Sequence, residues 1–387
     1  MSYSQENIAK DLHSRPMKKR RKKRRKNLKF AIVFFALILT ISGVFTYLYF
    51  SRKNAKKVQF ANVSTEHIYD DLDLPVDLTP PDLELSITIS VVGDCTLGTD
   101  ENFNYSRSLN SYFEKHGADY FLKNVKPYFE ADDLTIANLE GTFTDSTARV
   151  DKTYAFKGPF EFVNILTKGS VEAVTLANNH SRDYGSESLS DTKETLDNAG
   201  VVHFGNGETA VYETKGVKIG LVGIYELPYG LGCAQHVKDG IAKVKSDGAD
   251  IIVVIFHWGT ERDAAPDSTQ ISLAHLAIDE GADLVCGHHP HVLQGMETYK
   301  GKNIAYSLGN FCFGGNSNPS DKDTMIFQQT FTVTKDGLKE DNVTNIIPCS
   351  LSSVSYQNDY CPTPATGAEA ERILNKIKER SALIPKQ

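Results

Sequence analysis

Five short stretches place ligand-type side chains at the ends of apolar runs. Gly93-Asp94 follows residues 86–92, and Asn138-Leu139-Glu140 follows 134–137. Asn178-Asn179-His180, with Asp183 close behind, follows 171–177; His257-Trp258-Gly259-Thr260-Glu261 follows 251–256; Gly287-His288-His289-Pro290-His291 follows 283–286. Neutral imidazoles mixed with carboxylate and amide oxygens suit zinc, manganese or iron better than calcium. Pro290 disfavours helical angles at His289 and predicts an extended chain there. In that conformation His289 and His291 share a face and can aim at one ion, or at two lying ~3.5–4 Å apart, while His288 turns away. Plainer readings stand beside these. Asn138 and Asn178 read as well as helix caps or turn formers, and His257 as an interfacial histidine packed on Trp258. His275 sits on an apolar helix face, and His116, His203 and His236 show no partner.

The elements that must position these clusters are legible as β-branched runs: SITISVV (86–92), LTIAN (134–138), VEAVTLAN (171–178), VKIGLVGI (217–224), DIIVVIFH (250–257), DLVCG (283–287) and NIAYSL (303–308). Amphipathic stretches at 111–129, 160–168, 186–199 and 268–280 alternate with them as helices. Such alternation predicts an α/β sheet with buried strands, and the crevice beyond the carboxyl ends of such strands is where sites assemble. A hairpin over 325–348, turning near Lys335-Asp336-Gly337, makes the sheet mixed. Residues 86–348 read as one domain, and 349–387 as a helix and tail.

Residues 30–50 are 21 in number and carry no charge, enough at ~1.5 Å per residue to cross a ~30 Å hydrocarbon core. The basic segment 1–29 predicts a cytoplasmic N-terminus by the positive-inside bias, with a single span, a stalk over 51–85 and the domain outside the cell. A signal peptide would have a shorter apolar run and a small-residue cleavage site. Of 42 Lys+Arg, 16 lie in 1–57 beside only 2 of 49 Asp+Glu, which leaves 26 against 47 and a net of −21 over 58–387. So acidic a surface argues against a passive polyanion-binding module, and an anionic substrate needs a local cation to dock. The basic block abuts the apolar segment directly, which argues against nucleic acid as its partner. The six cysteines form no CxxC pattern; Cys349 and Cys361 could pair in an oxidising compartment.

Six motifs, GDCTLG (93–98), NLEG (138–141), LANNHSRDYG (176–185), FHWGTE (256–261), GHHPHVLQG (287–295) and YSLGNFCF (306–313), together resemble the CapA/PgsA poly-γ-glutamate capsule synthesis family. That family is similar in motif order and fold to calcineurin-like metallophosphatases. The resemblance spans about 86–313 and implies an α/β fold, a metallophosphatase-like sandwich of mixed β-sheets flanked by helices and preceded by one transmembrane helix. Residue by residue it implies Asp94 on a first metal, Glu140 as the bridging carboxylate, Asn179, His257 and His289 on a second metal, and His291 returning to the first. His180 is implied as proton donor to a leaving oxygen, with Asp183 and Glu261 as further catalytic candidates. The cofactor implied is one or two divalent ions, Mn, Zn or Fe. Two departures stand out: Thr96 occupies the place of a phosphatase histidine, and NLE replaces GDxxD. The function implied is capsule-polymer biosynthesis and export in the cell membrane, in company with membrane-embedded synthase subunits, the lipid bilayer and an anionic polymer or its precursor. A non-catalytic polymer-handling scaffold and a phosphoesterase acting on an envelope lipid or nucleotide are the alternatives.

Overall fold

Residue alternation along the strands explains why several are apolar throughout. In β1 (Leu85–Thr96), Ile87, Ile89 and Val91 point into a core shared by two sheets, whereas Val92 and Cys95 join a second core on the opposite face. Successive side chains of a strand face opposite ways, so β1 alternates Ser86, Thr88 and Ser90 with Ile87 and Ile89 and turns apolar on both faces at Val91-Val92, whereas residues 251–256, covered on both sides, are apolar at every position.

A computed structural model describes residues 84–341 and 343–385. After β1 come β2 (Leu134–Glu140), β3 (Thr142–Phe143), β4 (Lys157–Gly158), β5 (Ala173–Thr175), β6 (Val202–Phe204), β7 (Thr209–Thr214), β8 (Val217–Tyr225), β9 (Ile251–His257) and β10 (Leu284–His288). The series ends with β11 (Met296–Tyr299), β12 (Lys302–Ala305), β13 (Asp323–Thr334), β14 (Gly337–Leu338), β15 (Val343–Ser350) and β16 (Thr363–Pro364). One sheet runs β16-β15-β13-β1-β2-β5-β6, with β14 on β13; the other runs β11-β12-β10-β9-β8-β7. Pairing is parallel from β1 through β2 and β5 to β6, and antiparallel where β13 meets β1 and β15. The second sheet is likewise mixed, parallel from β8 through β9 and β10 to β12 with antiparallel edges.

The sheets face each other across one core, where Ile136 of the first meets the layer of Leu221, Val253 and Cys286. Helices Val163–Gly169 and Gly185–Ala199 cover the outer face of the first sheet through Ile165, Leu166 and Leu196. Helices Ala234–Ser246 and Ser268–Asp279 cover the second through Val237, Ile241 and Leu273. The order is therefore helix, sheet, sheet, helix, an α/β sandwich of mixed sheets. Helix Gly367–Ser381 inserts Ile373 and Ile377 into the shared core, so the chain after β15 is built into the fold.

Two expectations need correction. The helix expected over 111–129 is broken: Leu109–His116 stops at Gly117, whose φ of +72° ends the helix, and a 3-10 turn at Ala118–Tyr120 and the single turn Lys126–Phe129 follow. Helix Ala234–Ser246 was not foreseen. The hairpin matches expectation, with Thr334 opposite Gly337 across a two-residue turn. The basic segment 1–29, the span 30–50 and the stalk up to residue 83 lie outside the described residues; among the described residues no helix is long and apolar enough to cross a membrane.

Under the rim of the first sheet, Glu172 Oε2 accepts the Thr135 N–H at 2.8 Å, and Asp132 Oδ2 accepts the Thr135 hydroxyl at 2.7 Å. Burial pushes Glu172 up to about 7 and Asp132 to about 6. A carboxyl raised on folding adds stability that is complete below its unfolded pKa and lost as pH rises through the folded value. For Glu172 that window runs from about 4.5 to about 7. Glu172→Gln should flatten the fall in Tm across this window, Asp132 leaving a smaller slope; an unchanged Tm-versus-pH curve would contradict it.

Candidate metal centre

The five polar clusters meet at one rim of the sandwich. Asp94, fully buried near the end of β1, is their hub. Its Oδ1 accepts from Asn138 Nδ2 at 2.8 Å, and its Oδ2 lies 3.1 Å from His291 Nδ1 and 3.4 Å from the His289 backbone N–H. Glu140, at the end of β2, accepts the Thr96 hydroxyl at Oε2 (2.9 Å). Thr96, in the place of the phosphatase histidine, thus braces the carboxylate. His257 Nε2, at the end of β9, is 2.9 Å from Asn179 Oδ1 and 3.6 Å from Glu140 Oε1. The rings of His257 and His289 are 4.8 Å apart, and those of His289 and His291 5.6 Å.

Backbone close approach makes this convergence possible. A Cβ on Gly93 would sit 2.1 Å from the Gly309 carbonyl oxygen, and one on Gly287 2.2 Å from that of Tyr306. Segment 306–310 therefore lies flush against both strand ends, with Asp94 N–H donating to Gly309 O (2.9 Å) and Leu308 N–H to Gly287 O (3.2 Å).

The expected extended chain at 289–291 is not what forms. His289 has φ +94° and His291 φ +56°, so the segment is a turn of left-handed residues, a conformation that costs about 1–3 kcal/mol for a non-glycine residue and clusters at functional sites. The two rings still come together, by the turn rather than by strand alternation. His288 faces away as expected, its Nε2 2.9 Å from the Val92 carbonyl. Trp258 is fully buried, donating to Tyr306 O at 2.8 Å and stacked on Phe256; His257 turns from it toward Asn179 and Asn138. Asn138 is a site residue here, its Nδ2 3.2 Å from His257 Nδ1, while Asn178 is both site residue and turn former: its Nδ2 donates to Asn138 Oδ1 at 2.9 Å and its Oδ1 accepts the His180 N–H at 3.0 Å.

Electrostatics separate the group into roles. Burial pushes the Glu140 carboxyl up to about 8, reinforced by the Asp94 charge. Burial opposes ionisation of Asp94 more strongly than any single partner favours it, but the hydrogen bond and charge of His291, the charge of His288 and the Asn138 amide together hold this carboxyl low. His289 is pushed down to about 4 by burial and then by the charge on His291. Burial holds His257 well below the usual imidazole range, with the neighbouring histidines adding to it.

The donors fit a cation. Glu140 Oε1 and His289 Nδ1 are buried without a hydrogen-bond partner, which would leave their desolvation uncompensated. Potential ligand atoms of Asp94, Glu140 and His291 lie within 4.8 Å of one another, as do those of Glu261, His289 and His291. Glu261 is exposed and stands with the imidazoles.

A separate dyad flanks this group. His180 Nδ1 is 2.7 Å from Asp183 Oδ2, which also accepts the Phe156 N–H at 2.6 Å. Burial, joined by the charges of Lys152 and His291, lowers the pKa of His180 more than Asp183 raises it. Lys152, which sequence reasoning missed, donates to Asp183 Oδ1 at 2.8 Å and to Asn179 O at 2.9 Å. It sits on the connection between β3 and β4, tied down by Arg149 on Asp100 (2.9 Å) and Val150 N–H on Asp183 O (3.0 Å). Asn310 was also missed as a site residue: its Oδ1 is 2.9 Å from His291 Nδ1. All six cysteines, including Cys349 and Cys361, are buried free thiols.

The family described as bacterial capsule synthesis protein PGA_cap matches residues 88–315, the stretch holding every cluster above. The capsule biosynthesis protein CapA of Bacillus anthracis is 29% identical over 339 residues, covering 78% of this chain and 76% of that protein. The PGA biosynthesis protein CapA of Bacillus subtilis is 32% identical over 248 residues, 59% of this chain and 63% of that one. Among solved structures, a 5'-nucleotidase from Candida albicans superposes with a TM-score of 0.41 at 12% identity, over 76% of this chain and 57% of that one, too distant to carry chemistry across.

Proposed function

The chain belongs to the bacterial capsule synthesis protein family, and on that premise we propose that it is a membrane-anchored component of glutamyl-polymer capsule assembly and export whose external domain carries a metal-dependent hydrolytic centre. The observation that carries the reading is a buried carboxylate oxygen without a partner, Glu140 Oε1, ringed by His257 and by the Asp94–His291 pair. The uncharged run at 30–50 behind its basic flank supports the anchor and the external placement of the domain.

Asp94, Glu140 and His291 would hold one divalent ion, and Asn179, His257 and His289 a second. What a bound cation supplies is Lewis acidity and charge neutralisation at the attacked group. The chain's own groups handle the proton. Asp183 fixes His180 with its proton on Nδ1, which leaves Nε2 to give or take a proton at the leaving oxygen. Lys152 and the Phe156 N–H saturate Asp183, so its carboxylate cannot swing away. Because burial lowers the His180 pKa and so disfavours its charged form, an approaching anion would be what favours that form.

Two measurements on the full chain, expressed with manganese or zinc, test this. Elemental analysis should find one or two transition-metal ions per chain, and His180→Ala should lower hydrolysis of a generic phosphodiester by roughly 10²–10⁴-fold while retaining them. No metal in the wild-type protein would end the enzymatic reading. Metal without turnover, together with undiminished polymer in cells carrying His180→Ala and His289→Ala, would leave a scaffold.

A further inference from the structure

A cavity of about 990 Å³ opens beside the centre, between helix Ala234–Ser246, the strand β8 and the segment 178–182. That is the upper end of the roughly 300–1,000 Å³ typical of small-ligand sites. Its inner end is the centre itself: Asn179 lines it, with Oδ1 2.9 Å from His257 Nε2. Tyr225 lines it too, its ring edge-on to that of His257 at 6.0 Å. The outer wall includes Tyr229, which is 55% exposed.

The charges around this cavity are not equivalent. Glu208 is held by Lys193 at 2.6 Å, Asp239 accepts from Gln235 at 2.8 Å, and Lys243 is bound to Asp247 at 2.6 Å. Arg182 is exposed, and its guanidinium makes no hydrogen bond or ion pair among the described residues. In a region of net charge −21 over 58–387, an uncommitted guanidinium beside the centre is where long-range repulsion of an anion can be overcome locally. A guanidinium also offers a planar pair of donors matched to a carboxylate.

We propose that this cavity is the subsite for the carboxylate-bearing end of a glutamyl chain, with Arg182 taking a side carboxylate and the Tyr225–Tyr229 wall taking the intervening methylenes. The proposal rests on the capsule-polymer reading and adds to it the place where the polymer docks. Glutamyl units suit the division of the wall, each offering one carboxylate and a short run of CH₂.

The test is calorimetric titration of γ-linked tetraglutamate into the full-length protein in detergent with Mn²⁺ present, for wild type, Arg182→Ala, Arg182→Lys and Tyr229→Ala. The expected result is at least a tenfold weakening for Arg182→Ala, partial recovery for Arg182→Lys and a smaller loss for Tyr229→Ala, all with wild-type Mn²⁺ content. Tyr229 is exposed enough that its replacement should not disturb folding. Wild-type protein that binds while Arg182→Ala and Tyr229→Ala both bind within twofold of it would overturn the subsite and leave the polymer reading standing. Wild-type protein with Mn²⁺ but no affinity for the oligomer would overturn both.

Discussion

Replacing Asp94 with alanine is expected to strip the chain of bound transition metal, bringing the content found by elemental analysis below about a tenth of wild type. Loss of an outer-shell partner alone costs 10–100-fold in metal affinity, and Asp94 does more than that. It is fully buried, and it holds Asn138 by Oδ1 and His291 by Oδ2. Without it, His291 keeps the Glu140 charge but loses the Asp94 hydrogen bond and charge that also raise its pKa, and Asn138 loses the acceptor that orients its amide toward His257. Asp94→Asn keeps the volume but not the charge, so it should lose metal nearly as completely while folding like wild type. Retention of wild-type metal by both variants would mean that the ion, if present, is held elsewhere.

Gly93→Ala should be among the most destabilising single-methyl additions in the domain. The new carbon would lie 2.1 Å from the Gly309 carbonyl oxygen and 2.9 Å from its carbonyl carbon, both backbone atoms that no rotamer change can move. Relief requires parting β1 from segment 306–310, at the cost of the Asp94 N–H to Gly309 O bond. Overpacking of this kind costs typically 1–3 kcal/mol and occasionally more, and a rigid backbone contact belongs at the upper end. The expected drop in Tm is about 5 °C or more, accompanied by loss of metal because Asp94 is the next residue. Gly232→Ala is the control, since its added carbon meets nothing closer than 3.9 Å. A Gly93→Ala melting curve indistinguishable from that control would refute the close approach.

Much of the site was readable because its residues interrupt apolar β-branched runs, and a polar cluster after such a run has few places to go but a strand end. The chain at 289–291 was misjudged for a definable reason: Pro290 restricts the angles of His289 but does not forbid φ of +94° once segment 306–310 fixes the neighbouring backbone. Lys152 left no trace in the sequence, lying in a connection without periodicity whose path is set by Arg149 on Asp100 and by Asp183. Helix Ala234–Ser246 was overlooked although Val237, Ile241 and Val244 form a stripe at helical spacing. Gly240 in its middle reads as a helix breaker; in the fold it lets the helix lie against β8, where a Cβ would meet Val222 Cγ1 at 2.6 Å.

Asp94, Glu140 and Asn179 stand at the rim of one sheet, while His257, His289 and His291 come from the other. A chain lacking either sheet cannot assemble that set, because Asp94 stands on one and His291 at the end of the other. An ion held there would rivet the sheets at their open end, so its capture would be a late event in the life of the molecule and a report that both halves had been completed.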